Sequence, residues 1–254
     1  MTGTQPSPDR SYTVVITSCR RFDLLSQSLQ SLRTSLDLAP QSWIIIEDSD
    51  DEGVRACVRD AGLDEATIIL NGRQMGQMPS IDRAYAEVRT PYVFHSEDDW
   101  LFYRSGFVGE SLAILESYPS ISTVGLRSRA DQHPLVRNMP SRVHDGVGYY
   151  VLDPRLHPEY FSYSFNPGLR RIADYRALGP FSPLGHEADV SYAFKRRGFA
   201  IASLEAHAVR HIGDDRHVND PSFPPKAKTI PQKLMRSIRK RWKRIRRAIE
   251  RSRP

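Results

Sequence analysis

Apolar positions along this chain come in short runs, separated by stretches with helical repeats. Residues 12–17 read YTVVIT, a β-branched run that stops at Ser18, Cys19, Arg20 and Arg21. That pattern predicts a buried strand followed by a loop. Phe22, Leu25, Leu29, Leu32 and Leu36 then recur at helical spacing. A second apolar run at 43–46 ends on Glu47, Asp48, Ser49, Asp50 and Asp51. A short helix over 54–61, a strand over 67–70 and an Asn71-Gly72 turn follow. Ile81, Ala84, Tyr85 and Val88 share one face of a helix predicted over 80–88. Thr90-Pro91 ends it, and a fourth strand starting at 92–94 runs into His95, Ser96, Glu97, Asp98, Asp99 and Trp100.

Strands alternating with helices predict an α/β fold with a mostly parallel central sheet flanked by helices. Ligands of such sheets bind outside the carboxyl ends of the strands. The polar clusters after the first, second and fourth strands should therefore gather on one rim. Beyond residue 100 the pattern weakens. It predicts helices over 107–115, 172–178 and 187–197, and strands over 122–126, 149–152, 199–204 and 208–211. An aromatic, turn-rich stretch occupies 161–167, and the rest reads as loop. Pro221, Pro224, Pro225 and Pro231 mark a linker, after which Leu234, Ile238, Trp242, Ile245 and Ile249 recur at helical intervals among basic residues. The expected organisation is a lead over 1–11, a catalytic domain over 12–215, a Pro-rich linker over 216–231 and a basic amphipathic helix over 232–254.

Charge sharpens that division. From residue 226 onward there are thirteen Lys or Arg against one acid, a net +12, while the first 225 residues carry −6. The net charge of +6 thus hides an acidic body with a strongly basic tail. Two cysteines, Cys19 and Cys57, are too few for a disulfide framework. The first residues lack the layout of a signal peptide, and no stretch approaches the roughly 20 apolar residues that cross a bilayer. A reducing cytoplasm is the expected setting, with a peripheral position at the inner face of the membrane.

The candidate chemistry centres on Glu97, Asp98 and Asp99. Adjacent carboxylates at a strand end repel one another, and a hard divalent cation, Mn²⁺ or Mg²⁺, offsets that cost with oxygen ligands. Residues two apart in an extended chain point to one face, so Glu97 and Asp99 can share a site while Asp98 turns away. A solvated acidic turn is the plainer alternative.

The order of these segments carries a resemblance. Glu47-Asp48-Ser49-Asp50, then NGRQMGQMPSIDRA over 71–84, then TPYVFHSEDDW over 90–100, is similar to family 2 glycosyltransferases of the GT-A fold, with nucleotide-sugar donors. It covers about residues 12–213, closely in the first half and loosely in the second. The resemblance implies that Asp48 binds the base or ribose of the donor and that Thr17, Ser18 and Arg20 border the same nucleotide. Asp82 and Asp98 join that donor set. Glu97 and Asp99 correspond to the outer members of a DXD motif, with Asp99 holding the metal. Glu at the first of those positions, and Ser80-Ile81-Asp82 where the family has Ala-Arg-Asn, are departures that leave donor identity open. Gly185-His186-Glu187-Ala188-Asp189 stands where the family carries a Glu-Asp pair whose second acid is the catalytic base. Glu187 matches that position, and Asp189 competes for it. His211, followed by Ile212 and Gly213, resembles a late metal-ligating histidine. The implied activity is inverting transfer of a hexosyl or related unit from a donor, UDP- or GDP-linked, to a glycan or lipid-linked acceptor.

Residues 161–168 with Arg170 and Arg171 can line an acceptor pocket, or simply pack in the core. The tail fits an interfacial helix on an anionic membrane surface. Nucleic-acid contact and a disordered or self-docking tail are the rival readings, and the acidic body argues against the first. A sugar nucleotidyltransferase would want a Gly-rich, basic first loop, which is absent here.

Overall fold

A computed structural model describes residues 9–214, 216, 218–222 and 230–251. Most of the expected lead and linker therefore lies outside the described residues. Strands β1 (Tyr12–Ser18), β2 (Ser42–Glu47), β3 (Thr67–Leu70) and β4 (Tyr92–Glu97) alternate with helices α1 (Phe22–Ser35), α2 (Val54–Asp60) and α3 (Gln77–Ala86). The second half supplies β5 (Trp100–Phe102), α4 (Phe107–Ser117), β6 (Ile121–Gly125), β7 (Ser141–His144), β8 (Val147–Leu152) and β9 (Gly168–Arg171). It continues with α5 (Ile172–Leu178), α6 (Glu187–Arg196), β10 (Ala200–Leu204), β11 (Val209–His211) and α7 (Ile230–Arg251).

Nine strands form one sheet in the order β3-β2-β1-β4-β9-β6-β10-β8-β7, and β11 pairs with β5 in a separate ribbon. The pairings β1–β2, β1–β4, β2–β3 and β6–β10 are parallel, and only β8 and β9 run against the rest. This is the expected α/β architecture with a mostly parallel sheet. Every residue of β1 is buried, and successive side chains feed opposite faces. Val14 and Ile16 pack with Leu25, Leu29 and Leu32 of α1. Val15 packs on the other face with Ile81, Ala84 and Tyr85 of α3. Burial on both faces explains why these strands read as continuous apolar runs.

Three strands differ from the sequence expectation of loop. β7 is a polar edge strand with three exposed residues. β5 is only three residues long. β9 reads GLRR, yet it lies between β4 and β6 and is almost wholly buried. Its glycine is a packing requirement: a Cβ on Gly168 would strike the Val124 carbonyl of the neighbouring strand. Helix α3 begins at Gln77, three residues before the expected start, because the Asp220 carboxylate accepts the Gln77 N–H at 2.9 Å and caps its first turn.

Candidate active site

Because β1, β2 and β4 are parallel and in register, with Thr17 opposite both Ile46 and Glu97, their carboxyl ends share one edge. A cavity of about 320 Å³ opens there, bounded by Thr17, Ser18, Asp48, Glu97, Asp98 and Asp99, and closed by His211 and Asp220. The predicted rim is therefore real, and it gathers residues from across the chain.

Asp48 organises one wall of this cavity. Its Oδ1 accepts the Asn71 side-chain amide at 2.8 Å and the Met75 N–H at 2.7 Å, and its Oδ2 accepts the Gly76 N–H at 2.8 Å. The loop entering α3 is thus hung on one carboxylate. Gln77 and Ser80, one turn apart on α3, face the same space, and Gln77 donates to Glu97 at 2.7 Å. Arg20 does not reach inward. It pairs with Asp50 on the surface at 2.7 Å. Its neighbour Arg21 takes the inner position, ion-paired to Asp98 and, at 2.8 Å, to Asp99. Cys19 lines the cavity as well, but burial pushes its thiol up to about 11, so it is no nucleophile.

The acidic cluster divides its labour. Asp98 turns into the protein beneath Arg21 and is 1% exposed. Burial pushes its carboxyl up to about 6, against the pull of Arg21. Glu97 is pushed up to about 8 by burial and then by repulsion from Asp99, Glu187 and Asp98. Asp99 Oδ2 lies 3.2 Å from His211 Nε2, while Asp99 Oδ1 is buried with no hydrogen-bond partner. The β5–β11 ribbon sets this pair, since His211 stands opposite Trp100, the residue after Asp99. Gly213 permits the approach, because a Cβ there would come within 2.7 Å of Asp99 Oδ2.

A divalent ion fits these donors. Asp99 offers an unsatisfied buried oxygen, His211 an imidazole nitrogen on the same side, and Glu97 lies close enough to repel Asp99. No group of three or more potential ligands is preassembled among the described residues. Further ligands must come from a bound anion or water. Arg21 supplies positive charge to the same carboxylates.

A second cavity of about 260 Å³ is lined by Arg127, His133, Tyr160, Phe161, Ser164, Asn166 and Glu187, among others. Glu187 opens α6, and burial raises its carboxyl above the ordinary value, although Ser164, the Phe165 N–H, Arg170 and Arg127 draw it down. Arg127 lies 5.2 Å from the centre of the Trp100 ring, which links this cavity to the acidic cluster. Arg170 is buried to 1% exposure and donates to the carbonyls of Ser164 and Asn166, both at 3.0 Å. It thereby fixes the aromatic loop that forms one wall.

Besides Arg20, two further expected site residues lie elsewhere. Asp82 is two positions past Ser80, about 200° around the helix from the cavity face. Its carboxylate accepts the N–H groups of Phe181 and Ser182 at 2.7 and 2.8 Å and the Tyr175 hydroxyl at 3.0 Å. It braces α3 against the segment entering α6 and does not border the first cavity. Asp189 caps α6, accepting the His186 N–H at 3.2 Å, and it is ion-paired to Lys243 and Arg247 of α7. Burial alone would raise it, but those two cations hold it below the usual carboxylate range. The sequence expectation did not include Gln77, Arg127 or Asp220. Gln77 lies within a motif-like segment, but Arg127 and Asp220 belong to no motif, and the sequence does not say where such loops return.

No protein-family model matches this sequence, and no curated protein matches it at the sequence level. Solved structures do match its fold. A mannosyltransferase of Pyrobaculum calidifontis, in complex with GDP-Man and Mn²⁺, superposes with a TM-score of 0.60 at 14% identity, covering 83% of this chain and 61% of that one. Glucosyl-3-phosphoglycerate synthase of Mycobacterium tuberculosis, in complex with phosphoglyceric acid, gives 0.55 at 16% identity, with 80% and 72% covered. TarS of S. aureus gives 0.55 at 12% identity, with 78% of this chain but 36% of TarS covered. The chain thus has the GT-A-type fold of these glycosyltransferases, and it spans less than two thirds of the mannosyltransferase and of TarS.

Proposed function

We propose that this chain is a metal-dependent, inverting glycosyltransferase. It moves a hexosyl or related unit from a nucleotide-sugar donor, UDP- or GDP-linked, to a glycan or lipid-linked acceptor. The observation that carries this reading is the placement of Asp99 beside His211 in one cavity and of Glu187 in the next, with Glu97 and Glu187 close enough to repel each other.

The first cavity suits the donor. Thr17, Ser18 and Asp48 stand where a nucleotide would rest on the strand ends. Asp99 and His211, with Glu97 beside them, would hold Mn²⁺ or Mg²⁺, whose charge neutralises a departing diphosphate. Arg21, ion-paired to Asp98 and Asp99, is placed to turn towards phosphate oxygens instead. The second cavity suits the acceptor, with the aromatic faces of Tyr160 and Phe161 for stacking. Glu187 would accept the proton of the attacking hydroxyl as the new bond forms, and its raised carboxyl makes it a better base than an ordinary carboxylate. The cap and the two cations on Asp189 favour Glu187 over it for that task. A base in one cavity and a leaving group in the other direct attack to the side away from the diphosphate, which inverts the anomeric centre. The same reading gives α7 a peripheral role at an anionic membrane surface, on the cytoplasmic face.

The test pairs a melting screen against UDP-, GDP- and dTDP-sugars, with and without Mn²⁺, with donor hydrolysis by Asp99→Ala and Glu187→Ala. One donor should raise the melting temperature in a Mn²⁺-dependent way that Asp99→Ala abolishes. Glu187→Ala should bind that donor yet hydrolyse it poorly. If no nucleotide sugar stabilises the protein, or if pyrophosphate is released from a nucleoside triphosphate, the reading fails.

A further inference from the structure

Helix α7 is attached to the body in an unusual sense. Arg247, 9% exposed, donates to Glu159 at 2.6 Å, is ion-paired to Asp189, and stacks 4.2 Å from the centre of the Tyr192 ring. Lys243 joins it on Asp189. Among the described side chains of α7, those shown meeting the protein are therefore cations. The apolar ones do not: Leu234, Met235, Ile238, Trp242 and Ile245 are all exposed, Trp242 to 68%. At about 100° per residue these five fall within roughly 100° of arc, and Arg247 lies roughly opposite its centre. An amphipathic helix packed on a globular body normally buries its apolar stripe. Here the basic edge is docked and the stripe faces away.

We propose that α7 is a latched membrane anchor. Arg247 and Lys243 lock its basic edge onto Glu159 and Asp189, and its outward stripe lies in the headgroup region of an anionic bilayer, which brings the rim of the second cavity to the lipid surface. Glu159 precedes Tyr160, and Asp189 is two residues beyond Glu187, both of them lining that cavity. The latch therefore grips residues close in sequence to Tyr160 and Glu187, which line the cavity, and not the lining itself.

Charge selects the occupant. From residue 226 onward the chain carries a net +12, so a second copy of the helix would meet strong repulsion. Anionic lipid gains about 1 kcal/mol from each basic residue near its surface. Phosphate neutralisation by nucleic acid would leave the Trp242 stripe in water. No helix among the described residues is long and apolar enough to cross a membrane, so α7 can lie on a bilayer but not span it. That the second cavity receives the acceptor rests on the function proposed above. The membrane-surface role of α7 belongs to that reading too, whereas the latch stands on the contacts of Arg247 and Lys243 alone.

The test uses the full chain with phosphatidylcholine vesicles, with and without phosphatidylglycerol, and needs neither donor nor acceptor. Failure of glycosyl transfer and failure of the anchor are therefore separable. The wild type should sediment with the anionic vesicles alone, and Ile238→Glu with Trp242→Glu should weaken partitioning at least about tenfold. Hydrogen exchange across 157–163 and the first turn of α6 should slow when wild-type protein binds vesicles. Arg247→Met should still sediment but lose that protection, with its melting temperature confirming a folded body. Absence of wild-type sedimentation overturns the proposal, as does protection that survives Arg247→Met. Concentration-dependent dimerisation without lipid, abolished by the Ile238/Trp242 pair, would assign the stripe to a second copy and overturn it equally.

Discussion

Individual carboxylates in this protein differ less in identity than in company. Glu187 and Asp189 are two residues apart, yet one faces a cavity and the other is bound to a helix cap and two cations. Glu187→Gln should lower turnover by about 10²–10⁴-fold with little change in donor affinity, as expected for loss of a general base. Asp189→Asn should leave turnover within a few-fold and instead loosen α7, measurable as faster hydrogen exchange in that helix. Glu97 is a different case. Its carboxyl ordinarily titrates near 4.5 and is pushed up to about 8 in the fold. Between those values the folded protein holds a proton that the unfolded chain has lost. The stability linked to Glu97 is thus complete below 4.5 and fades as pH rises through about 8. In denaturant titrations of metal-free protein, Glu97→Gln should exceed the wild type in stability above about pH 8 and match it below pH 4.5. A wild-type advantage at high pH would show that Glu97 is not destabilised by ionisation.

At the level of elements, legibility followed burial pattern. β1, β2 and β4 declare themselves because both their faces are buried, so each is an apolar run that ends abruptly in polar residues. That abrupt ending also made the rim legible, and with it Asp48, Glu97 and Asp99. β9 stayed hidden because Arg170 and Arg171 place their terminal guanidinium N–H groups largely on backbone carbonyls, and a strand stabilised in that way has no apolar signature. Asp82 misled for a related reason. Its place in a motif-like segment suggested a ligand, whereas helix geometry turns it towards residues a hundred positions later. Those contacts give it an element-scale role. Asp82→Ala would leave two N–H groups without their carboxylate, costing about 1–3 kcal/mol. A fall in melting temperature with unchanged donor affinity would confirm the bracing role, and a selective loss of donor affinity would return Asp82 to the binding site.

For the whole molecule, the first cavity joins segments that are remote in sequence. Thr17 and Ser18 close β1, Asp48 follows β2, Gln77 opens α3, Asp99 follows β4, and His211 and Asp220 come from beyond residue 210. Among the described residues the last of these segments is tied to the body by Asp220 on Gln77, the Asn219 carbonyl on Gln74, the Arg216 carbonyl on Arg21, and Arg216 on Asp23 at 2.9 Å. A ligand that bridges Asp48 to Asp99 and His211 would add contacts across all of them at once. Binding to the folded state alone stabilises by about 2.7 kcal/mol at a hundredfold excess over Kd. The metal-dependent share of that stabilisation should vanish in His211→Ala and reverse with a chelator in the wild type, while the nucleotide-only share persists in both. Local protection should follow the same division. Nucleotide alone would slow hydrogen exchange near β1, β2 and the start of α3, and metal with nucleotide would extend the protection to 209–222. If metal and nucleotide stabilised His211→Ala as fully as the wild type, the β5–β11 ribbon would be a structural strap and the metal site would have to be built without its histidine.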